Sequence, residues 1–415
     1  MEKNVRKRVV ITSVGVISSL GFSLNRIMEN IKKEKVSFKT FAFDESVSAA
    51  PVEKFDLKKI TGRFKDARYL NRGAGFCMGA AVMAAKNSDL LNRENPEAAK
   101  ILHKTGLFTG TGPNLDIGGE LPDIKNGVID NKSLAALWIL KFLPNTAASA
   151  ISKFTGVHGE NLTINTACSA SMQAIGEAYR KIKNGYLELA LAGGGDSRLS
   201  QGGILAYKKA QALCLSNPGS AKEACRPFDK KRNGFAPGEG GAFFLLEELD
   251  HALKRNAKIY GEICGFGASI DGFTMTAPEP EGRYGKKAVI SALKEADITA
   301  SDIDVISSHG TGTLLNDAIE SALIDNIFKK NKPIIIAIKS WTGHLSAACG
   351  ASELAVCLAC MKHGYIPKIR NLEKPCRQDL NFALKEKSYN FNTLLMQNFG
   401  FGGQNAALVI KAWKK

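Results

Sequence analysis

Short runs of β-branched and apolar residues alternate with longer stretches of helical period along this chain. RVVITSVGV at 8–16, TGLFTGTG at 105–112, LTINTA at 162–167, LALAGGG at 189–195 and GAFFLLEEL at 241–249 read as strands. After a Lys-rich stretch from His251 to Lys258 the alternation restarts with IYGEICGFGASIDG, a helical pattern over 286–296, then DVISSHG, IIIAIKS and AALVIKA. Strands alternating with helices predict an α/β protein. Each half opens with a strand running into a Gly/Ser-rich turn, SVGVISSLG and GFGASIDG, which hints at an internal duplication. The expected division is 1–254 and 255–415, two halves of one body with no low-complexity linker and an active site between them.

Composition narrows the classes. With 44% apolar and 23% charged residues, the 415-residue chain has enough apolar content for a large core and too little charge for disorder. The basic segment before Val9 imitates a signal peptide, but the following run is broken by Thr and Ser and ends in Gly, as a core strand and turn would. No stretch reaches the 18 apolar residues of a membrane span. Nine Cys without small-domain spacing read as reduced thiols of a cytoplasmic protein. Cys357 and Cys360 spell CxxC inside an apolar helical run, with no second pair to complete a zinc site, so core packing is expected and no metal. The formal charge of +16 favours an acidic partner. Lys and Arg are scattered, and no nucleic-acid module is recognisable, so nucleic acid is not expected.

The segment LTINTACSASMQAIGEAYRKI places Cys168 where a buried strand gives way to a helix. A thiol at a helix N-terminus meets unpaired N–H groups and the positive end of the dipole, which favour the thiolate. Small neighbours leave room for a substrate and for backbone N–H groups around an oxyanion. His309 in ISSHGTGT and His344 in IKSWTGHLSAACGASE follow strands in glycine-flanked turns, where a neutral imidazole can donate Nε2–H to a thioester oxygen.

Together NTACSAS, HGTGT and KSWTGHLSAACGASE resemble the three active-site blocks of β-ketoacyl-acyl carrier protein synthases of the KAS II type. KRVVITSVGVISSLG, CRPFDKKRNGFAPGEGGAFFLLEE and NFGFGGQNAALVI match further blocks in order, so the resemblance spans nearly the whole chain. It implies a thiolase-like, five-layered αβαβα fold of two pseudo-equivalent halves. It also implies decarboxylative Claisen condensation of an enzyme-bound acyl group with malonyl-carrier protein, in fatty acid or specialised lipid or polyketide biosynthesis. By that resemblance Cys168 carries the acyl group, while His309 and His344 polarise the malonyl thioester. Lys339 orders the site electrostatically and Glu353 is its acidic partner. Phe401 is the gating aromatic whose N–H joins that of Cys168 in the oxyanion hole, and Thr311 and Thr313 bond the phosphopantetheine arm. No metal or redox cofactor is implied. A homodimer and an acidic acyl carrier protein as partner are, and Lys65, Arg68 and Arg72 at i, i+3 and i+7 would line one docking helix, with Lys208 and Lys209 a weaker second patch.

The sequence departs from the family pattern at Leu314, Trp341, Cys349 and Gln404, and Pro113 stands where an aliphatic residue commonly lines the acyl pocket. An unusual pocket is therefore expected. Two other readings compete. Non-catalytic partner subunits of the chain-length-factor kind lack the nucleophile that Cys168 supplies. Biosynthetic thiolases share the fold but use a second cysteine near the C-terminus, and NFGFGGQN contains none.

Overall fold

The computed structural model describes residues 6–91, 96–115, 124–129, 135–215 and 220–414. The strands that frame the site are β1 Val9–Ile17, β2 Gly106–Gly110, β3 Asn161–Ile164, β4 Leu189–Ser197 and β5 Glu239–Glu248 in the first half. In the second half they are β6 Gly261–Ile270, β7 Val305–Ser307, β8 Ile334–Ile336, β9 Thr393–Gly400 and β10 Gln404–Lys411. The helices that matter most are α1 Arg72–Asn87, α2 Ala170–Lys183, α3 Arg283–Glu295, α4 Leu314–Ile327 and α5 Cys349–His363.

The strands run β8-β7-β9-β10-β6-β1-β5-β4-β2-β3. The β6–β1 junction is a short antiparallel contact of Val9, Val10 and Ile11 with Ile263, Glu262 and Gly261. On either side of it the order is the same: first strand, fifth, fourth, second, third. The directions match too, with first–fifth and fifth–fourth antiparallel and fourth–second and second–third parallel in both halves. The duplication hinted at by two glycine-rich turns is thus carried by topology.

Strands buried on both faces read as continuous apolar runs whose alternate residues serve different cores. Phe244 and Leu246 of β5 point to a central cluster with α2 and α5, while Phe243 and Leu245 point to an outer cluster with α1. In β9, Leu394 and Met396 join the central cluster and Leu395 joins a third one beneath α3. The layers are therefore α1, sheet, α2 with α5, sheet, α3. Cys357 and Cys360 lie fully buried in α5. None of the described helices is long and apolar enough to cross a membrane.

Both central helices follow the third strand of their half, and both are entered through a tight turn. Residues 167–169 lead from β3 into α2, and residues 346–348 lead into α5. Each turn opens on a non-glycine residue in the left-handed region, Ala167 at φ 48° and Ser346 at φ 51°. The two helix starts meet closely: a Cβ on Gly350 would lie 2.6 Å from Met172 Cβ.

Candidate active site

Cys168 stands in the first of these turns, 9% exposed. Its surroundings include the β9–β10 loop, whose Phe401 backbone N–H faces the thiol. That approach requires glycine at 400, because a Cβ there would lie 2.9 Å from the Thr166 carbonyl oxygen and 3.1 Å from Cys168 N. The expectation of a lowered thiol pKa is corrected by the burial. Desolvation pushes Cys168 up to about 11, against the pull of the Lys339 charge and the Phe401 N–H.

His309 follows β7. Its backbone N–H and that of Gly310 donate to the two oxygens of Glu320 on α4, at 2.6 and 2.8 Å, which pins the HGTGT turn. The ring Nδ1 faces two groups that can only donate, Lys339 Nζ at 3.1 Å and Asn398 Nδ2 at 3.3 Å. Nδ1 is therefore the acceptor and Nε2 carries the proton. His344 reaches the same tautomer by another route, since the Ser346 backbone N–H donates to its Nδ1 at 2.9 Å. Burial and the Lys339 charge push His344 down to about 3, and burial, Lys339 and His344 hold His309 well below its ordinary value. The rings meet edge to face with centroids 5.7 Å apart. Both are neutral Nε2–H donors.

Lys339 is 1% exposed, and each of its three N–H groups has an acceptor: Glu353 Oε1 at 2.5 Å, the His309 carbonyl at 2.6 Å and His309 Nδ1. Glu353 Oε2 accepts from Asn398 at 2.9 Å. Lys339, Glu353 and Asn398 thus form one buried network whose outlet is the His309 ring.

Cys168, His309, His344, Thr311, Thr313 and Phe401 line one cleft of about 310 Å³, with Leu314 and Leu315 also in its wall. Thr311 and Thr313 face each other at 3.0 Å between hydroxyl oxygens. A second cavity of about 320 Å³ opens on the other side of Cys168 and Phe401, lined by Pro113, Gln404 and Arg198 among others. Trp341 is core, its indole N–H bonding the Lys368 carbonyl at 2.8 Å, and Cys349 Sγ sits 3.7 Å from His344 Nδ1.

The basic stripe is not one helix face. Lys65 and Arg68 lie in a short 3₁₀ turn, Lys65–Tyr69, the chain then straightens through Leu70 and Asn71, and Arg72 begins α1. Lys65 and Arg68 are exposed, Arg68 stacking over Tyr69. Arg72 instead grips both oxygens of buried Glu239. The i, i+3, i+7 spacing misleads because Asn71 caps a new helix between the second and third members. Lys208 is paired with Asp44.

Four contributors were not singled out in the sequence: Asn398, Asp317, Glu320 and Arg198. Asp317 accepts the Thr311, Gly312 and Phe228 backbone N–H groups, as Glu320 does those of His309 and Gly310. Two acids three residues apart on the buried face of an apolar helix were the available signal.

Against known proteins, residues 6–252 match the beta-ketoacyl synthase N-terminal domain and residues 260–373 the beta-ketoacyl synthase C-terminal domain. A 3-oxoacyl-[acyl-carrier-protein] synthase 2 of Synechocystis is 31% identical over 99% of both chains. A beta-ketoacyl synthase from Burkholderia phymatum superposes with a TM-score of 0.89 at 28% identity, covering 98% of this chain and all of the other. A ketosynthase solved with its type II polyketide acyl-carrier protein and bound to the hexaketide superposes at 0.86 with 25% identity, covering 99% of this chain and all of that one. His309 closely follows its strand, whereas His344 follows a short helix, Lys339–Thr342, that comes after the strand Ile334–Ile336. The paired half-sheets, the cysteine turn and the two imidazoles in its cleft are those of a condensing enzyme, and the chain belongs to the beta-ketoacyl synthase family.

Proposed function

We propose that this acyltransferase is a 3-oxoacyl-carrier-protein synthase in which Cys168, His309 and His344 do the chemistry. The observation that carries the reading is the pair of fixed Nε2–H donors in the same cleft as a buried thiol. In the first half-reaction Cys168 Sγ attacks the acyl thioester. A new C–S bond forms, the carrier's C–S bond breaks, and the thiol proton leaves with the pantetheine thiolate. The tetrahedral oxyanion is held by the Cys168 and Phe401 N–H groups. In the second half-reaction the malonyl C–COO⁻ bond breaks and carbon dioxide departs. The electron pair passes into an enolate whose oxygen takes the His309 and His344 Nε2–H bonds. An imidazolium would be a stronger donor but would protonate the enolate, so neutral rings suit the step. The enolate carbon then attacks the acyl-enzyme, the Cys168 C–S bond breaks, and the departing thiolate takes up a proton from solvent water. Lys339 and Glu353 position His309, and Thr311 with Thr313 hold the pantetheine arm.

This chemistry needs no metal or redox cofactor. A formal charge of +16 suits an acidic carrier protein, with exposed Lys65 and Arg68 the docking candidates. We place the enzyme in the cytoplasm as a homodimer. The non-catalytic partner-subunit reading is disfavoured by the intact Cys168 with both imidazoles.

Intact mass after incubation with acyl-carrier protein tests the proposal. One acyl adduct is expected on the wild type and none on Cys168→Ala, and malonyl-carrier protein should discharge it as a 3-oxoacyl product. An adduct on Cys168→Ala, or no product, refutes it.

A further inference from the structure

The cavity beyond Cys168 contains a charged group that a hydrocarbon chain does not need. Arg198, 4% exposed, lines it together with Asp196, Tyr207 and Gln404. Of the five N–H groups on its guanidinium, one meets Asp196 Oδ2 at 2.9 Å and one the Pro113 carbonyl. The remaining donors have no hydrogen bond among the described residues, although the side chain is buried. Thr166 Oγ1, in the same wall, is a buried hydroxyl without a partner. Tyr207 completes the polar side, its hydroxyl 2.8 Å from Ser346 Oγ.

The charge of the pair is closed within the protein. Asp196 also accepts the Ser197 and Ala347 backbone N–H groups at 2.8 and 3.1 Å, which fixes it beside the guanidinium. Arg198 and Asp196 together are neutral, so the cavity offers hydrogen-bond donors without net positive charge. An anionic ligand would meet the Asp196 carboxylate as well as the guanidinium. A neutral oxygen acceptor takes the donors without adding a second negative charge beside that carboxylate. A saturated chain would strip water from these donors and return nothing.

Building on the condensing-enzyme reading, we infer that the acyl group held by Cys168 carries a neutral oxygen, a keto or hydroxyl group, which accepts from Arg198. The enzyme extends oxygenated acyl chains in preference to saturated ones, and Arg198 is the residue that reads the oxygen.

The test is single-turnover acylation of Cys168, read by intact mass, from carrier protein loaded with hexanoyl, 3-hydroxyhexanoyl or 3-oxohexanoyl groups. An oxygenated chain is expected to acylate about tenfold faster than hexanoyl, the worth of one hydrogen bond to a charged donor. In Asp196→Asn/Arg198→Met, which removes the pair without stranding a charge, that ratio should fall to about one. Equal or faster acylation by hexanoyl in the wild type overturns the inference, and that comparison stands even if the variant does not fold. Retention of the preference in a folded variant overturns the assignment to Arg198. Absence of any Cys168 adduct from all three donors overturns the condensing-enzyme reading itself.

Discussion

Lys339→Met removes one ammonium whose three protons are all in use. Glu353, 2% exposed, keeps only its bond from Asn398 and becomes a buried carboxylate without a counter-ion. Breaking one side of such a pair costs about 3–5 kcal/mol. In Lys339→Met/Glu353→Gln the stranded charge is gone, and the residual loss should be about 1–2 kcal/mol, chiefly the bond to the His309 carbonyl. Catalysis should behave differently. His309 Nδ1 retains only the Asn398 donor at 3.3 Å, so the tautomer with the proton on Nδ1 becomes accessible and the Nε2–H is no longer enforced. A hydrogen bond to a charged donor is worth about 1.5–3 kcal/mol, or roughly 10- to 150-fold in rate. The assay pairs thermal melts with malonyl-carrier protein decarboxylation followed by carbon dioxide release. The double variant should regain most of the stability lost in the single one and little of the rate. His309 should also protonate more readily than in the wild type, because the Lys339 charge is gone, although the burial that depresses it most remains. A stable double variant with the wild-type rate would refute the positioning role.

In the wild type both imidazoles are neutral, so decarboxylation should stay flat from about pH 8 to about pH 5.5, and a limb titrating near an ordinary histidine would contradict this. Stability behaves otherwise. His344 is pushed from 6.5 down to about 3, so the unfolded chain binds more protons between those values and stability should fall as pH drops through this window, by up to ~1.4 kcal/mol per pH unit per imidazole. Acid melts monitored by circular dichroism check it. Gly400→Ala should slow acylation at least about tenfold while the protein remains folded, because the added methyl pushes the Phe401 N–H away from Cys168; an unchanged acylation rate counts against that oxyanion hole. Arg72→Ala should lower stability by about 1–2 kcal/mol in urea titrations, the partly exposed guanidinium screening what a fully buried pair would lose. Its carrier-protein affinity should hold, and a large loss of affinity with unchanged stability would return Arg72 to the docking surface.

The legible part of this protein was the part written in contiguous residues. Cys168, His309, His344, Lys339 and Glu353 lie in short blocks whose turns fix the side chains locally, and the strand runs were visible because both faces of each are buried. The illegible part depends on residues distant in sequence. Asn398 reaches His309 from 89 residues away, and although it opens the NFGFGGQN block, nothing local points its side chain to a histidine. The raised thiol was missed because the helix start argues for stabilisation while desolvation depends on the second half packing over it. The basic stripe failed for the opposite reason: a spacing rule was extended across a break that one capping asparagine creates.

The duplication explains why the chemistry gathers where it does. Cys168 and Ala347 occupy the same place in their turns, each following the turn's left-handed residue. Holding a non-glycine residue at positive φ costs free energy in each half, and the two halves use the turn differently. In the first it presents a thiol at the start of α2. In the second the small Ala347 leaves space beside that thiol, the Ser346 N–H locks the His344 tautomer, and the Ala347 N–H holds Asp196 against Arg198. One copy carries the thiol; the other carries both imidazoles, as hydrogen-bond donors, and one wall of the cavity beside that thiol. Because α2 and α5 meet at their starts, as Gly350 against Met172 requires, the two turns are held face to face by the core itself. A fold with a single half would have the cysteine turn and neither imidazole.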